Sequence, residues 1–250
     1  MSRFAATAPL MAELEESRRD DLRARLRRFA TPRGDERALD AGTGVGAVAF
    51  ALAPLVEEVV AVDAEPVLLE LARQRSEEFP NVSFVEGDVT ALPVGVSGFD
   101  LTCCVRVLHH VARPELVVAE LVRVTRPGGH VLVSVMSLAG TVVHFLPILV
   151  DLARRDGVAK NEAIVRTGLL PDETDYGHLA MKLFRWPELE ALLSPHGTIV
   201  DACAAGLLPS VRPEEPELRA FLSRTELALA DDPGTIGCGQ HILAVLQRDA

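Results

Sequence analysis

The sequence predicts an α/β fold, a doubly wound and mainly parallel sheet with helices on both faces, and three observations predict it. Apolar runs of strand length alternate with helix-length stretches from residue 36 to residue 136. Proline and glycine punctuate the boundaries between them. A stretch with three glycines at alternate positions, ALDAGTGVGAVAF over 38–50, joins the first strand to the first helix.

The elements follow in order. Residues 10 to 30 read as an amphipathic helix, with Leu14, Leu22, Leu26 and Phe29 near one face. Strands are expected at Arg37–Ala41, Glu58–Val62, Val82–Glu86, Phe99–Val105 and His130–Met136. Helices are expected between them at Ala47–Leu55, Pro66–Phe79 and Pro114–Val124. Pro66 can open its helix where a missing N–H costs nothing, and Pro127-Gly128-Gly129 reads as a tight turn into the next strand. Beyond Met136 the alternation lapses. Residues 137–185 read as irregular and helix-rich, followed by a helix at Trp186–His196 and a strand at Thr198–Cys203. A helix at Pro216–Ala230 lies in a second weakly patterned segment, and His241–Gln247 is the last strand. The expectation is one domain over 1–250: an N-terminal segment (1–35), a core (36–136), and two lid segments (137–185 and 207–238) over the carboxyl ends of the strands.

Composition narrows the function. The chain has 250 residues, 48% of them hydrophobic and 24% charged, as in ordinary globular domains. A formal net charge of −11 argues against nucleic acid, whose phosphates need basic surface. Cys103, Cys104, Cys203 and Cys238 form no C-x-x-C or Cys/His cluster, so they are expected as small core side chains in a reducing compartment, with no metal. Residues 128–150 carry no charged side chain except for His130 and His144, which leaves a span conceivable. Its breaks at Ser137, Gly140 and Pro147 favour a strand followed by an apolar helix instead. Without a signal-like N-terminus, a cytoplasmic location is expected.

The glycine turn spells two patterns at once. Gly42, Gly44 and Ala47 satisfy the dinucleotide fingerprint, while Asp40, Gly42, Gly44 and Gly46 satisfy D-x-G-x-G-x-G. In either case Gly42 and Gly44 let the backbone turn sharply and approach a ligand. Asp63 ends the second strand, where a carboxylate can chelate ribose hydroxyls in either cofactor. Asp88 follows the third strand and can accept from an adenine amino group. The stretch GFDLTCCVRVLHHVARPELVVAELVRVTRPGGHVLVSV, 98–135, then adds a His-His turn and a glycine hairpin.

Taken together, D-x-G-x-G-x-G, Asp63, Gly87-Asp88, Leu108-His109-His110-Val111 and Arg126-Pro127-Gly128-Gly129 resemble a class I methyltransferase dependent on S-adenosylmethionine (SAM), of the small-molecule branch that includes ubiquinone and menaquinone methyltransferases. The resemblance implies a Rossmann-like seven-stranded sheet in order 3-2-1-4-5-7-6 with an antiparallel last strand. It implies SAM as cofactor and S-adenosylhomocysteine (SAH) as product. It places Asp40, Gly42, Thr43, Gly44 and Gly46 around the methionine portion. Asp63 and Ala64 fall at the ribose, Asp88 and Val89 at the adenine, and Val105 and Arg106 on the sulfonium side. An N-terminal aromatic closes over SAM in relatives, and Phe4 and Phe29 are the candidates here.

Methyl transfer from a sulfonium needs alignment and exclusion of water more than acid or base power. A hydroxyl or ammonium acceptor would still need a base, and His109 or His110 could serve, or could simply shape the loop. His144, Tyr176 and His178 are weaker lid candidates, and Arg106 could meet the SAM carboxylate, an acidic substrate, Asp100 or a backbone carbonyl. The apolar run 138–150 suits packing on the sheet or lining a pocket for an apolar or aromatic metabolite. Lysine occurs at Lys160 and Lys182 alone, against many arginines and alanines, a bias that hints at a GC-rich bacterial genome and secondary metabolism. The expected activity is SAM-dependent O-, N- or C-methylation of such a small molecule. A non-catalytic SAM-binding protein and an NAD(P)-dependent oxidoreductase are the competing readings. The oxidoreductase lacks a Y-x-x-x-K pair and leaves Asp88 and the His-His turn unexplained. Monomer and homo-oligomer are both open.

Overall fold

The computed structural model describes residues 34–93, 95, 97–171, 180–208 and 213–249. The N-terminal helix expected at 10–30, with Phe4 and Phe29, and the lid candidates Tyr176 and His178 lie outside these residues.

Seven strands form one sheet in the order β3-β2-β1-β4-β5-β9-β8. They are β1 (Arg37–Ala41), β2 (Glu58–Asp63), β3 (Val82–Glu86), β4 (Phe99–Val105), β5 (Thr125–Met136), β8 (Gly197–Ala205) and β9 (His241–Arg248). The first five are mutually parallel, and β9 runs antiparallel to both β5 and β8. Counting sheet strands alone, this is 3-2-1-4-5-7-6. A two-residue pair, β6 (Leu169–Leu170) with β7 (Met181–Lys182), stands apart from the sheet.

The strands alternate in period two, and the two faces bury different sets. Leu39, Ala41, Val60 and Val62 enter one core cluster, while Ala38, Val59 and Ala61 enter the other. Cys104 and Cys103 split in the same way, as neighbours on a strand must. Cys203 is also buried, but Cys238 is exposed, so the expectation of four core cysteines fails for that one. It lies in the irregular stretch before β9, where no strand face carries it inward.

Helices α1 (Ala47–Leu52), α2 (Pro66–Gln74) and α3 (Pro114–Val124) cross between the parallel strands. Two end earlier than the sequence suggests. At α1 the expected end, Leu55, ignores Pro54, which disfavours helix in the residue before it and has no N–H to continue the ladder. At α2, Ser76 Oγ donates to the Arg73 carbonyl at 2.8 Å and closes the last turn. Phe79, expected in that helix, instead stacks on Phe50 with ring centroids 4.8 Å apart. β5 is longer than expected, because pairing with β4 begins at Phe99↔Thr125 and resumes at Leu101↔His130. The Pro127-Gly128-Gly129 turn is thus a bulge inside a strand.

The segment after β5 is three short helices, α4 (Leu138–His144), α5 (Leu146–Asp156) and α6 (Val158–Thr167). Ser137 Oγ accepts from the Gly140 amide at 3.1 Å and caps α4, while Pro147 lies in the first turn of α5. Leu138, Ile164, Leu170 and Leu183 form a small core of their own. Then come α7 (Trp186–Leu193) and α8 (Pro216–Ala230). No helix among the described residues is long and apolar enough to cross a membrane.

Candidate cofactor site at the strand ends

The strand order reverses between β1 and β4, and such a switch point opens a crevice at the carboxyl ends of the strands. The predicted residues gather there because each follows one of four adjacent parallel strands: the glycine turn after β1, Asp63 ending β2, Asp88 after β3, and Val105 and Arg106 at the end of β4.

The turn is pinned to β2. The amides of Gly42 and Thr43 both donate to the Val62 carbonyl, at 2.8 and 2.9 Å. Gly42 has φ +78, and a Cβ there would overlap the Val107 side chain, so the turn also packs on the loop after β4. Gly44 has φ +55 with nothing near the place of a Cβ. Thr43 Oγ1 is buried and makes no hydrogen bond among the described residues. Space at Gly44 beside an unsatisfied hydroxyl is what a cradle for a polar ligand should show. At Gly46 the corresponding space is filled by the Phe50 ring, 2.6 Å from where a Cβ would stand, which makes it a packing glycine.

The two buried aspartates are both tied to the backbone. Asp40 Oδ2 accepts from the Ala49 amide in the first turn of α1, at 3.0 Å, and thereby holds the turn to the helix. Asp63 takes the Gly44 amide at 2.8 Å on one oxygen and the Glu65 amide at 2.9 Å on the other. Burial raises the Asp63 pKa above its ordinary value, with the amide bonds opposing. Each oxygen keeps a second lone pair, so two ribose hydroxyls can still donate to it. Ala64 beside it is exposed. Asp88 is exposed, and one of its oxygens accepts from both the amide and the hydroxyl of Thr90 at 2.7 Å, which lowers its pKa. Val89 packs partly buried against the core. These groups fit the nucleoside and amino-acid ends of SAM.

The rim of the crevice carries the charges. Arg106 is the one non-glycine at positive φ among the described residues, at 62°. Asp100, one sequence-stated partner for it, sits near the opposite end of β4, about 20 Å away at strand rise. There it accepts the Arg37 amide at 2.8 Å and pairs with Arg126 at 2.5 Å. His109 is buried, and its Nδ1 accepts a long 3.4 Å hydrogen bond from the Met136 amide. Burial first, then the nearby His110, His241 and Arg106, push its pKa well below the ordinary imidazole value. His110 is half-buried with its ring 4.3 Å from that of His109. Burial lowers its pKa too, against a hydrogen bond with the backbone of Ala180. His144 turns back on its own helix, with Nδ1 2.8 Å from the Gly140 carbonyl.

His241 went unnoticed in the sequence. It comes to this rim because β9 pairs antiparallel with β5 and sets it opposite Met136. No local motif could signal that. Among the described residues no group of three or more His, Cys, Asp or Glu is placed to hold a metal.

Comparison with known proteins points to the same fold. The family described as "Methyltransferase domain" matches residues 39–133. A demethylmenaquinone methyltransferase of Clavibacter sepedonicus is 32% identical over 170 residues, 67% of this chain and 66% of its own. An uncharacterized methyltransferase of Bacillus subtilis, YcgJ, is 34% identical over 102 residues, 40% of each chain. Its crystal structure covers 92% of this chain and 100% of its own with a TM-score of 0.57 at 21% identity. The fold is also similar to that of the N-methyltransferase NodS of Bradyrhizobium japonicum, solved with SAH, at TM-score 0.56 and 17% identity over 94% of this chain and 87% of the other. The matched stretch spans only 40–42% of the length of several curated relatives. Residues 39–133 thus match a methyltransferase domain, and in sheet order and in the turn after β1 the chain is similar to the class I, seven-stranded SAM-dependent methyltransferases.

Proposed function

We propose that the protein transfers the methyl group of SAM to a small apolar or aromatic metabolite. The observation that carries this reading is the cradle itself: a buried, unsatisfied Thr43 hydroxyl and open space at Gly44, beside Asp63. When bound, SAM supplies a methyl on a sulfonium, a leaving group that asks the protein for alignment and dryness. Asp40, Gly42, Thr43 and Gly44 hold its methionine end. Asp63 and Ala64 face the ribose, Asp88 and Val89 the adenine, and Val105 with Arg106 the sulfonium side. Gly46 shapes the turn from behind.

Of the two histidines, His110 suits the role of base better. His109 Nδ1 accepts from the Met136 amide, so the proton of its neutral ring sits on Nε2 and the ring can only donate from there. His110, kept neutral by burial, takes the acceptor's proton. The lid segments 137–185 and 207–238 cover the acceptor within a single domain. They leave Val143, Phe145, Leu146 and Val150 exposed, apolar surface suited to such an acceptor. The named relatives make demethylmenaquinone a first compound to try, and the arginine- and alanine-rich composition points toward secondary metabolites next.

Calorimetry with SAM, SAH and NADH tests the cofactor, and SAH release over an acceptor panel tests turnover. Binding of SAM and SAH with turnover is the expected result. NADH binding without SAM binding overturns the reading. SAM binding with no turnover on any acceptor favours a non-catalytic SAM-binding protein.

A further inference from the structure

We propose that the exposed face of α6 is a self-association surface, on which the same helix of a second copy of this chain lies antiparallel. Neither cofactor nor acceptor enters the contact.

α6 is ten residues long, carries Val158, Ile164, Val165 and Thr167, and buries only Ile164. Isolated helices of that length are marginal in water and β-branched residues weaken them further, so packing has to supply the stability. Packing reaches one side. Ile164 enters the small core with Leu138, Leu170 and Leu183, and Asn161 Nδ2 donates to the Leu149 carbonyl, which fixes α6 on α5. On the other side Val158 is 64% exposed and Val165 46%. With Asn161, Glu162 and Arg166 they line a shallow apolar recess of about 410 Å³, at spacings that put all five on one helix face.

The charges on that face point to a second copy. In α5 and α6, Asp151 pairs with Arg154, and Asp156 pairs with Arg155 and Lys160. That leaves Glu162 and Arg166, both exposed and in no ion pair among the described residues. They are opposite in sign and one turn apart, with Val165 alongside. An antiparallel copy centred at the level of Ile164 sets Glu162 against the partner's Arg166 and Arg166 against the partner's Glu162, with both Val165 side chains beside the axis. A two-fold contact uses the same patch twice and so needs one that complements itself. This face does. One helix face falls short of the usual interface size, so the dimer should be weak, with a Kd of about micromolar order.

Sedimentation and light scattering on the full-length chain, over a concentration series, test the proposal. Wild type should pass from monomer to dimer as concentration rises. Val165→Glu brings two acids to the axis and should weaken association tenfold or more. Glu162→Arg and Arg166→Glu should do the same, since each sets like charges against one another. All three side chains are exposed, so melting of the dilute variants should match wild type. Mixing Glu162→Arg with Arg166→Glu restores two opposite pairs, and the mixture should dimerise where neither variant does alone. Damage to the fold cannot produce that gain. A wild-type monomer throughout the series, a dimer indifferent to Val165→Glu, or no recovery in the mixture overturns the proposal.

Discussion

All six residues of α1 are buried, whereas of the fifteen in α8 only Ala230 is. The first helix follows the glycine turn and packs into the core beside the sheet, with its first turn held by Asp40. The second lies in the proposed lid segment and is tied to the body near its far end, where Glu226 accepts from the Leu207 and Leu208 amides at 2.9 Å. The contrast runs through the molecule. The half built from β1 to β4 permits few side chains at each position, because backbone, cofactor space and core meet there. The lid half keeps its own small core and leaves leucine, valine and phenylalanine in solvent. In the function proposed above, the first half holds the cofactor and the second accommodates the acceptor.

The sharpest way to break this contrast is to place the same methyl in each half. Gly42→Ala puts a Cβ into Val107 at φ +78, adding overlap to backbone strain, and should cost about 2–4 kcal/mol and abolish SAH binding. Gly157→Ala in the proposed lid meets nothing, though its φ is +88, and should cost only the backbone strain, about 1–3 kcal/mol, with SAH affinity intact. Denaturant melts and calorimetry read both. Similar losses in the two variants would erase the distinction between the halves. Asp63→Ala comes next. It removes the ribose acceptor and also frees the Gly44 amide, and SAH affinity should fall by about 1.5–3 kcal/mol, ten- to a hundredfold. 5′-Methylthioadenosine, which keeps the ribose but lacks the amino-acid end, should lose as much. Unchanged affinity for both would remove Asp63 from the ribose.

A smaller effect sits at the seam between the halves. Burial holds the His109 pKa well below 6.5, so below that pH the unfolded chain takes up a proton that the folded chain refuses. Stability from this group is complete above pH 6.5 and is lost as pH falls toward the depressed folded value, at up to about 1.4 kcal/mol per pH unit. His109→Asn should flatten that acid limb of the stability profile, read by denaturant melts between pH 5 and 8. With His110 as base and its pKa also lowered, the rate should stay level through neutrality and fall only on the acid side of 6.5. A fall in rate beginning above pH 7 would take His110 out of that role.

The same contrast explains what could be read from the chain alone. Arg37–Ala41, Val82–Glu86, Phe99–Val105 and Pro114–Val124 came out with the observed limits, since short apolar runs bounded by glycine or asparagine and a proline at the helix start fix them locally. Pro54 and Ser76 were visible but unused as stop signals. The helices at 138–167 could not be separated, for their breaks rest on Phe145 and on Gly157, and their burial depends on distant partners such as Leu183. At the candidate site, the glycine turn and three aspartates are legible because each lies at or just past the end of a strand. That Asp40 holds the first turn of α1 depends on how the glycine turn folds back, while the meeting of Met136 and His241 with His109 is a product of strand pairing.

The smallest expected effect belongs to the exposed face of α8. Phe221 is 54% exposed and Leu218 48%, so replacing either by serine removes no packed contact and should alter stability by within about 0.5 kcal/mol. Leu152, 1% exposed on α5, should cost about 2–5 kcal/mol as alanine. If the lid face serves the acceptor, Phe221→Ser should leave SAH affinity unchanged while raising the acceptor's KM. A loss of stability comparable to that of Leu152→Ala would mean that α8 is held by packing after all, and the division between a rigid cofactor half and an adaptable acceptor half would have to be redrawn along β9.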